Sequence, residues 1–134
     1  MRNKDLALDY IKRAKIRLLA IETLYQEKGY ADVVRESQEV VELLLKALLR
    51  INDIAIPRIH DVSTLLEEQK NVLKKINNEE IEFLSTTSRS LRRDRELAFY
   101  GSEDLTPSEF YRKSDADTAK DQANKVLGIV EKSL

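Results

Sequence analysis

Between Tyr30 and Ile51 the apolar residues Val33, Val34, Val40, Val41, Leu44, Leu45, Leu48 and Leu49, with the small Ser37, recur at steps of three and four. That is the period of a helix face, whereas a strand would alternate every second residue. A surface helix buries one apolar stripe. This face is wider than one stripe, so it requires burial between several helices or across a subunit interface. Whatever the chain folds into must surround this segment.

The neighbouring segments read as suitable partners. A first helix, capped by Asn3 or Asp5, runs to about Lys28 and carries Leu6, Tyr10, Ala14, Ile16, Leu18, Ile21, Leu24 and Tyr25 at helical spacing. Gly29 is expected to stop it, because glycine accepts the left-handed conformation that ends many helices. Residues 52–60 read as a loop containing Pro57. Asp61 then caps a third helix from Val62 to about Leu73. Asn77 or Asn78 caps a fourth, with Glu79 and Glu80 in its first turn, where carboxylates suit the positive helix end. It runs to about Tyr100. Residues 101–114 form the longest loop. Asp115 or Asp117 opens a last helix ending near Leu134, with Ala119, Ala123, Val126, Leu127 and Val130 inward. With three Gly and two Pro in 134 residues and no strand-period segment, the reading is all-α. It is an up-and-down bundle of about five helices, in one domain over 1–134.

Composition narrows the function. The net charge is −1, so any attraction to nucleic acid must come from a local patch. The absence of cysteine removes disulfides and thiolate chemistry and agrees with a cytoplasmic setting. No signal peptide and no membrane span is read. No Gly-rich phosphate loop occurs, and a single histidine without cysteine makes no closed metal site. No cofactor and no metal is expected.

The chemistry concentrates in 88–101, SRSLRRDRELAFYG. Arg89, Arg92, Arg93 and Arg95 crowd the C-terminal half of the fourth helix, which closes on Phe99, Tyr100 and Gly101. Arginine presents a planar, permanently charged fork suited to phosphate. Steps of three put Arg89, Arg92 and Arg95 on one side, with Arg93 elsewhere. Tyr100 can stack on a base or donate to a phosphate. Asp94 and Glu96 are available to pair with the arginines, which is the ordinary state of a charged helix face.

Three segments together resemble the HEPN (higher eukaryotes and prokaryotes nucleotide-binding) domain. They are EKGYADVVRESQEVVELLLKALL, with Gln38, Glu42 and the intact run Lys46, Ala47, Leu48, Leu49; HDVSTLL, with His60, Asp61, Val62, Leu65 and Leu66; and LRRDRELAFYG. The resemblance implies a helical bundle and a homodimer. It also implies frequent pairing with a small nucleotidyltransferase in a toxin–antitoxin type module. Many members are metal-independent ribonucleases that use an arginine, four to six intervening residues and a histidine, meeting its copy across a dimer cleft. Here Arg95 is followed after four residues by Tyr100 where such members have histidine, and Arg93 reaches Tyr100 across six. Histidine exchanges protons near neutrality. Free tyrosine, with a pKa of roughly 10, is a poor base there.

The expectation is therefore a HEPN-like protein binding nucleotide or RNA phosphate through Arg92, Arg95 and Tyr100 in a dimer cleft. Catalysis is expected to be weak or absent. Two alternatives stand beside it. One is a metal-independent ribonuclease with Arg95 and Tyr100 as its catalytic pair. The other is a purely structural protein–protein interaction module.

Overall fold

A computed structural model describes residues 2–56, 58, 62–101 and 105–134, with backbone only for 91–99. The described residues form six helices and no strand: α1 Arg2–Gln26, α2 Tyr30–Ile51, α3 Ser63–Glu68, α4 Asn78–Tyr100, α5 Pro107–Phe110 and α6 Lys113–Lys132. Four are long, and they make an all-α bundle. Pro57, His60 and Asp61 lie outside the described residues, and with them the expected Asp61 cap.

Helix α2 is the axis of the bundle. It packs against α1, α4, α5 and α6. Twelve of its residues are buried, including Val33, Val40, Leu44, Leu45, Leu48 and Leu49, so its wide face is consumed within one chain. The α2 face is therefore not a subunit surface, and the argument for a dimer drawn from it falls away. Pairings fix the helix directions. Asn3 meets Arg50 and Asp53, so α1 is antiparallel to α2. Lys132 meets Glu80, so α6 is antiparallel to α4.

The local signals were partly as expected. Asn77 does begin α4: its Oδ1 accepts from the Glu80 N–H at 2.8 Å, and Glu80 Oε1 accepts from the Asn77 N–H at 3.0 Å. This reciprocal pair satisfies two helix-end groups. Helix α1 already includes Asn3, which does not cap it. Asn3 instead donates to Asp53 Oδ1 and accepts from Arg50, each at 3.0 Å, tying the start of α1 to the end of α2.

The left-handed residue after α1 is Lys28 (φ 61), not Gly29. Gly29 donates to the Leu24 carbonyl at 2.8 Å, the long-range bond of a Schellman end. A Cβ at Gly29 would sit 3.3 Å from that carbonyl oxygen. Glycine is there for close approach rather than for its φ.

Helix α3 ends at Glu68, earlier than expected. Residues 69–76 make tight turns that bury Leu73 and Ile76 before the chain reverses into α4. Helix α6 starts at Lys113. Asp115 therefore lies in its first turn, not at the cap, and accepts from the Arg112 N–H at 2.8 Å.

Candidate functional site

The site candidates gather at the pole where α1 and α4 end and α2 and α6 begin. Helix α4 reaches it as one unbroken helix. Its first half is bound into the bundle by Ile81 and Leu84, both buried. Two hydroxyls stitch it to α3: Ser88 Oγ accepts from the Val62 N–H, and Ser85 donates to the Ser63 carbonyl, each at 3.3 Å.

Beyond Ser90 the helix carries the arginines out to Tyr100, whose side chain is 73% exposed. Gly101 closes it with φ +83, where a Cβ would stand 2.7 Å from the Leu105 carbonyl oxygen and 2.8 Å from Pro107 Cδ. Only glycine has both the conformation and the size for that position. The contact also seats α5 against the end of α4.

Helical geometry sorts the arginine positions. At 100° per residue, 95 and 100 lie about 140° apart around the axis, while 93 and 100 lie within about 20°. Position 89 also falls within about 20° of 100. The register therefore groups 89, 93 and 100, and it sets 92 and 95 on the line continued from the buried Ser88. The expected grouping of 89, 92 and 95 spans about 120° of arc. The exposed Arg89 lines a polar groove of about 530 Å³ between α3 and α4 with Glu67, Lys70 and Glu82. That surface is mixed in charge rather than purely cationic. The side chains of Arg92, Arg93 and Arg95 lie outside the described atoms.

Around the same pole, Tyr25 of α1 donates to Asp117 Oδ1 of α6 at 2.5 Å. This hydrogen bond, with burial and the Asp117 charge behind it, pushes the phenol up to about 12. Lys120 lies 3.8 Å over the Tyr25 ring and pairs with Glu22 at 2.7 Å. The cluster fastens α6 to α1, with its groups paired to one another rather than turned to a ligand.

Sequence reasoning missed α5 and the cleft beside it. Thr106 caps α5, its Oγ1 accepting from the Glu109 N–H at 3.2 Å. The T-P-S-E pattern was the available signal. Among the described residues, no group of three or more His, Asp or Glu could hold a metal ion.

A family model for the HEPN domain matches residues 7–133. The chain belongs to the HEPN family. Searches of the curated proteins and of the solved structures gave no significant match. The HEPN match spans every helix of the bundle, so the arginine segment is part of the domain and not an appendage. No helix among the described residues is long and apolar enough to cross a membrane.

Proposed function

We propose that this HEPN chain binds a nucleotide or the phosphates of RNA at the C-terminal end of α4. The ligand would lie in a cleft shared by two copies, with Arg92, Arg95 and Tyr100 as the gripping positions. The partner would be a small nucleotidyltransferase-like protein, in a module of the toxin–antitoxin kind, and catalysis would be weak or absent. The observation that carries this reading is the unbroken run of α4 through four arginine positions to an exposed Tyr100. Tyr100 in place of histidine leaves a group that can stack and donate but is not poised for proton transfer near neutral pH. Because α2 is enclosed by its own chain, a second copy must meet a different surface.

The test is a titration of purified protein with short single-stranded RNA at several salt concentrations. Affinity should fall with salt as displaced counterions return. Arg92→Ala and Arg95→Ala should each weaken binding and lower the salt slope by about one. Arg93→Ala belongs in the same series, because its register matches Tyr100. Salt-independent binding, or wild-type affinity in Arg95→Ala, would sink the proposal. Cleavage of that RNA in EDTA, lost in Arg95→Ala and Tyr100→Phe, would replace it with the ribonuclease reading.

A further inference from the structure

A cleft of about 340 Å³ opens between α2, α4, α5 and α6, lined by Val34, Ser90, Phe110, Tyr111, Thr118 and Gln122, among others. Its composition is uneven in an informative way. Val34 and Ala119 are buried and give an apolar floor. Phe110 and Tyr111 form an edge-to-face pair with centroids 4.9 Å apart, which fixes one aromatic wall. Phe110 is nevertheless 42% exposed, so the wall is open to a ligand.

The α6 side of the cleft is polar. Asp115, Thr118, Ala119 and Gln122 stand at steps of three and four on α6, a single stripe turned to the cleft. Asp115 uses one carboxylate oxygen for the Arg112 N–H and has further lone pairs to offer.

A cleft with an apolar floor, one ring wall and an amide-bearing polar side suits a nucleobase. Bases stack on exposed aromatic rings and are read along their edges by side-chain amides and carboxylates. The volume is at the small end of ligand sites, which fits a base with its sugar rather than a larger molecule. Ser90 belongs to the cleft and to α4. Position 93 lies about 4.5 Å further along the helix axis and about 60° around it, whereas position 95 lies about 7.5 Å along and about 140° around. A sugar can bridge the interval to position 93, with its phosphate toward that position.

We infer that this cleft is a nucleobase pocket and that it favours a base carrying an exocyclic amine. Phe110 stacks on the ring and the Gln122 amide reads the edge. Glutamine pairs with adenine at N6 and N7, and the Asp115 carboxylate accepts from an amine and repels a bare carbonyl edge. Uracil, with two carbonyls flanking its one N–H, suits this wall least. The inference rests on the phosphate proposal only for the direction of the sugar and phosphate; the pocket stands or falls by itself.

The experiment is an NMR titration of the labelled 134-residue chain with three probes: adenosine, uridine and ribose 5-phosphate. Adenosine should shift the Gln122 side-chain amide and the backbone amides of Thr118 and Ala119, and should bind several-fold tighter than uridine. Phe110→Ala removes an exposed ring, so the fold should survive, as the unshifted amides of α1 and α2 would attest. It should weaken adenosine binding about tenfold or more. Gln122→Ala should erase the preference for adenosine over uridine. Adenosine leaving the cleft amides unmoved, or binding Phe110→Ala as tightly as wild type, overturns the pocket. If ribose 5-phosphate still shifts residues 92–100 in that case, the phosphate proposal survives alone. Adenosine in the cleft with no response to ribose 5-phosphate supports the pocket and removes the phosphate proposal.

Discussion

The interior around α2 and the pole where α4 ends are built on opposite rules. In the interior one helix carries twelve buried residues, nearly all aliphatic, and three long helices close over them. Shape and apolar area decide everything there, and few polar atoms interrupt it. At the pole the same chain gathers Tyr25, Tyr30, Tyr100 and Tyr111, the arginine segment and a glycine turn at positive φ. There, hydrogen bonds, ring contacts and backbone conformation set the geometry. The interior can change only by losing stability. The pole can change while the bundle persists, which is the property a ligand surface needs.

The largest effect that would sharpen this contrast is in the interior. Leu44→Ala, at a fully buried position, should cost about 2–5 kcal/mol in urea or thermal denaturation. Tyr100→Phe, at an exposed position, should stay within about 0.5 kcal/mol of wild type. A Tyr100→Phe variant as destabilised as Leu44→Ala would erase the distinction between the two regions.

Next come the glycines. Gly101→Ala, at φ +83 against the Leu105 carbonyl, should cost about 1–3 kcal/mol and loosen α5 with the cleft. Gly128→Ala, on α6 with nothing within 4 Å of the added carbon, should stabilise by about 0.5–1 kcal/mol. Equal melting temperatures for the two variants would mean that the turn after α4 is not specified in the way its geometry implies.

The smallest effect is electrostatic and has a sign. Tyr25 is raised from 10.0 to about 12 by its bond to Asp117. The folded state therefore holds that proton more tightly than the unfolded one. The contribution is complete below pH 10 and lost as pH rises toward 12. Glu80 runs the other way. Lys132 and the Asn77 N–H hold it below the usual carboxylate range, so its contribution is present at neutral pH and lost in acid. Stability measured against pH should show a steeper alkaline decline in wild type than in Tyr25→Phe. Identical alkaline limbs would remove Tyr25–Asp117 from the bonds that hold the pole together.

Legibility in the sequence followed the same division. The face of α2 was readable because helical periodicity and burial are the same fact seen twice. The start of α4 was readable because Asn77 and Glu80 are three residues apart and need only each other. Gly29 was misassigned because glycine is used both for left-handed conformations and for close approach, and only the backbone tells which. Asn52 and Asp53 close α2 without any glycine: Asp53 takes φ 55, and Ile54 donates back to the Leu49 carbonyl at 2.9 Å. The cleft was invisible for a different reason. Its walls come from residues 34, 90, 110 and 118–122, which are neighbours only after four helices have packed.

By itself the sequence determined the helical class, the central place of α2, the HEPN relationship and the position of the arginines in the C-terminal half of α4. Each of these depends on spacing along one segment, which a linear chain records directly. Only the tertiary structure decided what covers α2 and where an aromatic wall meets the polar stripe of α6. Those depend on relative rotation and approach of separate helices. Side-chain packing in three dimensions sets both, and no single segment carries that information.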